Sequence, residues 1–172
     1  MRGPQVAQRI TGRDASAFFD ADGFFRIGDV VRLLDPRDPA RGLAFVARAD
    51  ERFKLTSGTW VRAGELRTAF LAAAGPVVAD VLLVGAGTDR VSALVYPAAD
   101  ADPLAVRVAV DEAIVSARVG DGSAGRVARA RILDEPPTAA ERTAKGTLAR
   151  ASVAVVRADE LRLLLAQDET IA

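Results

Sequence analysis

Hydrophobic positions along this chain switch between two spacings, and each switch predicts an element. Val30-Val31-Arg32-Leu33-Leu34 and Leu43-Ala44-Phe45-Val46-Ala47-Arg48 are short apolar runs around the turn-rich segment Asp35 to Gly42, a pattern that predicts a long β-hairpin. Phe24-Phe25-Arg26-Ile27, ahead of it, reads as extended and is entered through the turn Asp20-Ala21-Asp22-Gly23. Asp14 is placed to cap a short helical turn from Ala15 to Phe19. Beyond Asp50, Phe53-Lys54-Leu55 and Thr59-Trp60-Val61 flank Thr56-Ser57-Gly58, a second strand, turn and strand. Leu66, Phe70 and Leu71 then fall at helical spacing between Gly64 and Ala74, and Gly75-Pro76 stops the helix.

Two apolar strands follow, Val77 to Val84 and Val91 to Tyr96, joined by the hairpin loop Gly85 to Arg90. Asp102-Pro103 supplies a capping side chain and a first-turn proline for a helix to about Arg118. A glycine-rich loop, Gly120 to Gly125, leads to a last strand from Arg126 to Leu133. A loop then carries Lys145 into a helix expected from about Arg150 to Ala166. The predicted fold class is α+β: an N-terminal β-hairpin segment, then a small domain with a short, mainly antiparallel sheet and about three helices. The boundary is placed at the charged stretch from Ala49 to Arg52, giving segments 1–49 and 50–172.

Composition narrows the chemistry. Lys+Arg and Asp+Glu both number 23, so no net field draws in nucleic acid or an anionic membrane. Arg126, Arg129 and Arg131, the densest basic run, read as one solvated strand face. With no cysteine or histidine, disulfides, thiolate nucleophiles, the usual zinc sites and imidazole acid–base catalysis drop out. Met1 to Arg13 lacks the apolar stretch of a signal peptide, and no segment has the length of a membrane span, so the expectation is a cytoplasmic protein. Gly85-Ala86-Gly87 is a hairpin turn; it lacks the longer glycine pattern and following helix of a phosphate loop.

The chemistry-bearing candidates are a lysine and two charged clusters. Lys145 sits in Ala144-Lys145-Gly146-Thr147-Leu148, where glycine lets the backbone turn tightly at no side-chain cost. About a hundred residues upstream lie Ile27-Gly28-Asp29 and Arg48-Ala49-Asp50. In this order and spacing the motifs resemble the C-terminal part of adenylate-forming enzymes: the acyl-CoA synthetases, luciferases and peptide-synthetase adenylation domains. Within them, Arg2 to Val6, Phe53 to Val61, Arg126 to Ala130, and the segment from Pro136-Pro137 to Lys145-Gly146 resemble feruloyl-CoA synthases.

The resemblance implies roles. Segment 1–49 would be the end of a large adenylating domain, and 50–172 the lid that follows it. Asp29 would bind the ribose hydroxyls of ATP, because a carboxylate accepts two hydrogen bonds and offers no competing donor. Arg48 would contact the nucleotide, and Asp50 would be the hinge about which the lid rotates. Gly58 and Trp60 would face the CoA tunnel, although from the residues alone Trp60 reads as a strand packing residue. Lys145 would hold the acyl carboxylate and α-phosphate during adenylation. ATP, Mg²⁺ and CoA are the implied cofactors of the intact enzyme, with none expected to bind tightly to this chain alone. An aromatic carboxylic acid is the implied substrate, and an N-terminal adenylating domain the implied partner.

The sequence departs from the family pattern at Ile27, where threonine is usual, and at Ala47, where glycine is usual. The phosphate loop, acyl pocket and adenine-binding motif are expected before residue 1, so the chain is not expected to be active alone. The alternative is a stand-alone, non-catalytic lid acting as an interaction module for a separate adenylating domain or carrier protein. Phe18, Phe19, Phe24 and Phe25 would then be buried or serve as a dimer contact; a severed lid would expose them.

Overall fold

The computed structural model describes residues 2, 6, 18–26, 28–48 and 52–166, with the side chains of 45–48 excepted. Of the helical turn expected from Ala15 to Phe19, residues 15–17 lie outside the described residues, as do Ile27 and Asp50, and Phe19 sits in a β-bridge rather than a helix. The chain divides into two units, Met1–Glu51 and Arg52–Ala172.

In the first unit, β1 (Asp29–Leu33) and β2 (Leu43–Arg48) form the expected antiparallel hairpin. Asp38 starts a 3-10 turn at Pro39–Arg41 by accepting from the Ala40 N–H at 3.2 Å. The register pairs Asp29 with Arg48, and one irregularity falls between Val30 and Val31. The Asp20 turn closes as expected, its carboxylate accepting from the Asp22 and Phe24 amides. Phe19 bridges Phe25, which also stacks on Phe18, and all three are half-buried; Phe24 is exposed.

The second unit has an α+β core. β3 (Arg52–Lys54) and β4 (Trp60–Arg62) form a short hairpin that runs directly into α1 (Ala63–Ala74). β5 (Val78–Val84) and β6 (Val91–Pro97) pair antiparallel, and β7 (Val127–Ile132) adds beside β6 in parallel, giving the order β5-β6-β7. A parallel neighbour needs a crossover, and α2 (Pro103–Ser116) supplies it. The Asp102 carboxylate caps α2 by accepting from the Leu104 and Ala105 amides.

Each face of the three-stranded sheet has its own core. On one, Leu66 and Phe70 of α1 and Val106 and Val110 of α2 pack against Val81 and Val95. Arg67 of α1 clamps this layer by donating two hydrogen bonds to the buried Asp80 of β5, at 2.9 and 2.6 Å. On the other, Leu82, Leu94, Tyr96 and Leu133 meet Val153 and Leu164.

Those last two residues belong to separate helices, α3 (Arg150–Val156) and α4 (Ala158–Ala166), where sequence periodicity predicts one. Arg157 leaves helical geometry (φ −110°, ψ 33°) and its side chain turns inward to a buried acid. The arginines in β7 and just before it also differ from expectation. Arg126 alone is exposed, while Arg129 and Arg131 are half-buried. An irregularity between Val91 and Ser92 shifts the register, so Val127 and Ala130 share one core and Leu133 joins the other. Among the described residues no helix is long and apolar enough to cross a membrane.

Candidate functional site

Lys145 sits at the tip of a small hairpin whose stem is an antiparallel bridge between Arg142 and Leu148. The Thr143 amide donates to the Thr147 carbonyl, and the Gly146 amide to the Thr143 carbonyl, both at 2.8 Å. Gly146 has φ +81°, which completes a three-residue loop ending in a left-handed glycine. The Lys145 amide reaches the Thr143 hydroxyl at 3.3 Å, and the Arg142 guanidinium donates to the Gly146 carbonyl. The loop backbone is thereby fixed, while the Lys145 side chain is exposed and pairs with no carboxylate among the described residues. An ammonium presented in this way suits an incoming anion.

The base of the hairpin is built from Glu141, which is fully buried. Its Oε1 accepts from the Tyr96 hydroxyl at 2.8 Å and from Arg157 Nε at 2.7 Å. Its Oε2 accepts from the Thr138 amide at 2.9 Å, the Thr138 hydroxyl at 2.8 Å and a second Arg157 nitrogen at 3.2 Å. Burial by itself would push the carboxyl up. The Arg157 guanidinium, then the Thr138 amide and the Tyr96 and Thr138 hydroxyls, outweigh burial and hold it at about 2. Burial first, then the hydrogen bond to Glu141 and its charge, push the Tyr96 phenol well above its ordinary value. The cluster is therefore a carboxylate, a neutral phenol and a guanidinium throughout the working range. Sequence reasoning assigned none of these three residues. The Thr138-Ala139-Ala140-Glu141 capping box was the signal that could have found Glu141.

Gly58 belongs to a hairpin of the same construction. The Leu55 amide donates to the Thr59 carbonyl at 3.1 Å, the Gly58 amide to the Leu55 carbonyl at 2.9 Å, and Gly58 has φ +79°. Two backbone bonds tie this hairpin to the β5–β6 loop: the Thr56 amide to the Thr88 carbonyl, and the Gly87 amide to the Lys54 carbonyl. Trp60 is not the packing residue that strand placement suggests. It is 51% exposed, with the Arg52 guanidinium 5.2 Å and the Lys54 ammonium 5.0 Å from its ring centroid.

In the first unit, Asp29 is half-buried and its backbone lies opposite Arg48 in the β1–β2 register, so the two nucleotide candidates are cross-strand partners. The Arg48 side chain and Asp50 lie outside what the structure describes. Among the described residues no group of three acidic, histidine or cysteine side chains could hold a metal ion.

Residues 50–169 match the family described as "AMP-binding enzyme C-terminal domain", and the chain belongs to that family. Solved structures place its fold among adenylate-forming enzymes. The adenylation domain of a carboxylate reductase from Mycobacterium chelonae has a TM-score of 0.69 at 22% identity, covering 88% of this chain and 24% of that one. The A-PCP didomain of a carboxylic acid reductase from Segniliparus rugosus, in complex with AMP, gives 0.68 at 26% identity, with 89% and 22% covered. An ATP-bound RpMatB-BxBclM chimera gives 0.53 at 18%, with 84% and 26% covered. This chain thus spans about a quarter of the length of the solved structures it matches. No curated protein matches it at a significant level.

Proposed function

We propose that this chain is the lid-containing C-terminal portion of an ATP-dependent acyl-CoA synthetase of the feruloyl-CoA synthase kind, joining an aromatic carboxylate to CoA through an acyl-adenylate. The observation that carries the reading is Lys145: an exposed, uncommitted ammonium on a fixed hairpin, inside the segment that matches the family. In this role it holds the acyl carboxylate and the α-phosphate while negative charge builds between them. ATP supplies the activated phosphorus and the AMP leaving group. Mg²⁺ belongs to the parent reaction, and this chain offers it no cluster of ligands among the described residues.

The other groups fit around that step. The Asp29 carboxylate accepts from both hydroxyls of a ribose diol, and Arg48, its cross-strand partner, contacts the nucleotide. Asp50 is the pivot between segments 1–49 and 50–172. Turning the lid replaces the Lys145 hairpin with the Gly58 hairpin, whose Trp60, flanked by two cations, lies on the CoA side. The first unit reads as the end of the large domain, because a lone two-stranded hairpin is marginal in water. Its Val31, Leu34 and Leu43 are exposed, and an adenylating domain would cover them.

The same strip would be the docking face if that domain were on a separate chain. Ferulate-dependent pyrophosphate release tests the reading. The intact polypeptide should release pyrophosphate with ATP and ferulate and form a thioester when CoA is added, while this chain alone should do neither. Turnover by the isolated chain would overturn the assignment.

A further inference from the structure

We infer that Glu141 is the positioning residue of the Lys145 hairpin, holding it to the sheet through Arg157 and Tyr96. The inference rests on the role proposed for Lys145, but its geometry stands by itself. Glu141 touches both arms of the loop. Its side chain bonds Thr138 ahead of the hairpin and Arg157 beyond it, and its own carbonyl accepts from the Ala149 amide at 2.8 Å. Tyr96 lies in β6, the central strand of the sheet. One carboxylate therefore joins the entry, the exit and the rigid core.

Five donors converge on its two oxygens, and none of its neighbours asks it for a proton. A glutamine cannot replace it, because its amide nitrogen would face donors in either orientation. The Gly58 hairpin, alike in its turn, is fixed differently, by backbone bonds to the β5–β6 loop. The two hairpins can thus be loosened separately. A lysine held this way keeps its reach constant, which matters because a displacement of about 1 Å can cost about 100-fold in rate.

Lys54 and Lys145 are the only lysines in the sequence, so ¹⁵N-lysine labelling gives one amide probe on each hairpin. Glu141→Gln should lower the ¹H–¹⁵N heteronuclear NOE of Lys145 and leave that of Lys54 unchanged. Arg157→Lys, which keeps the charge but forms one bond where the guanidinium forms two, should do so to a smaller degree and serves as the reporter if Glu141→Gln does not fold. An unchanged Lys145 in the folded variants, or equal changes at both lysines, would overturn the inference. In the intact enzyme, the same variants should slow acyl-adenylate formation at least 10-fold and leave thioester formation from supplied acyl-adenylate unchanged. Equal slowing of both steps would assign Glu141 a merely structural part. If Lys145→Ala itself leaves adenylation unchanged, the function proposed for Lys145 fails, while the amide result still decides what Glu141 holds.

Discussion

The Glu141 cluster should make the stability of the fold depend on pH in the acid range. The carboxyl sits at about 2 in the folded chain against an ordinary value of 4.5. A group depressed on folding contributes stability that is complete above its unfolded value and is lost as pH falls through its folded value. The window here runs from about pH 4.5 down to about pH 2. At about 1.4 kcal/mol per pH unit, the gap is worth on the order of 3 kcal/mol. Glu141→Gln abolishes that pH dependence and, near neutrality, leaves the half-buried Arg157 with only the looser Glu135 and Glu160 carboxylates at 3.6 Å, at a cost of about 3 kcal/mol. Urea unfolding followed by far-UV circular dichroism at pH 7, 5, 4 and 3 measures both. The difference in unfolding free energy between parent and variant should be constant from pH 7 to 5 and then shrink by more than 1 kcal/mol by pH 3. The other carboxylates are common to both proteins and cancel. A difference that stays constant down to pH 3 would refute the ionised, guanidinium-bound state of Glu141.

Three further outcomes follow from the packing. Phe70→Ala, in α1 and fully buried between α2 and the sheet, should cost about 3–5 kcal/mol by denaturant unfolding, from lost transfer energy and the cavity left behind. Asp102→Ala removes the carboxylate that caps α2 and should cost about 1 kcal/mol in the same assay, with Asp102→Asn recovering most of it. Gly85→Ala places a Cβ 2.3 Å from the Arg90 carbonyl oxygen at φ +130° and should lower the thermal midpoint clearly, whereas Gly87→Ala, in open space, should lower it less.

How much of this was legible follows from where the information lies. Asp102-Pro103, Gly75-Pro76 and Thr56-Ser57-Gly58 act on their own stretch of chain, so the start of α2, the stop of α1 and the β3–β4 turn could be read from neighbouring residues alone. The β1–β2 hairpin was equally local, although only its register shows that Asp29 and Arg48 are opposed. The break at Arg157 has no glycine or proline to announce it; it comes from a carboxylate sixteen positions upstream in the chain. The parallel placement of β7 is invisible in its own alternation, but the long, helix-containing connection from β6 implies it. Trp60, assigned to packing as a large apolar side chain, is exposed between two cations contributed by the facing strand. The exposed loop around Lys145 was legible in Ala144-Lys145-Gly146, and the capping box marks Glu141 as a local cap, but the burial of that acid is a property of the assembled sheet and helices.

The central claim is that Lys145 serves adenylation and not thioester formation. It is tested most directly by single-turnover measurement of the two half-reactions in the intact enzyme, with and without Lys145→Ala. The account predicts acyl-adenylate formation slowed by about 100–1000-fold, the usual cost of removing one group that stabilises developing charge, with thioester formation from supplied acyl-adenylate and CoA unchanged. Equal slowing of both steps, or of neither, would contradict it.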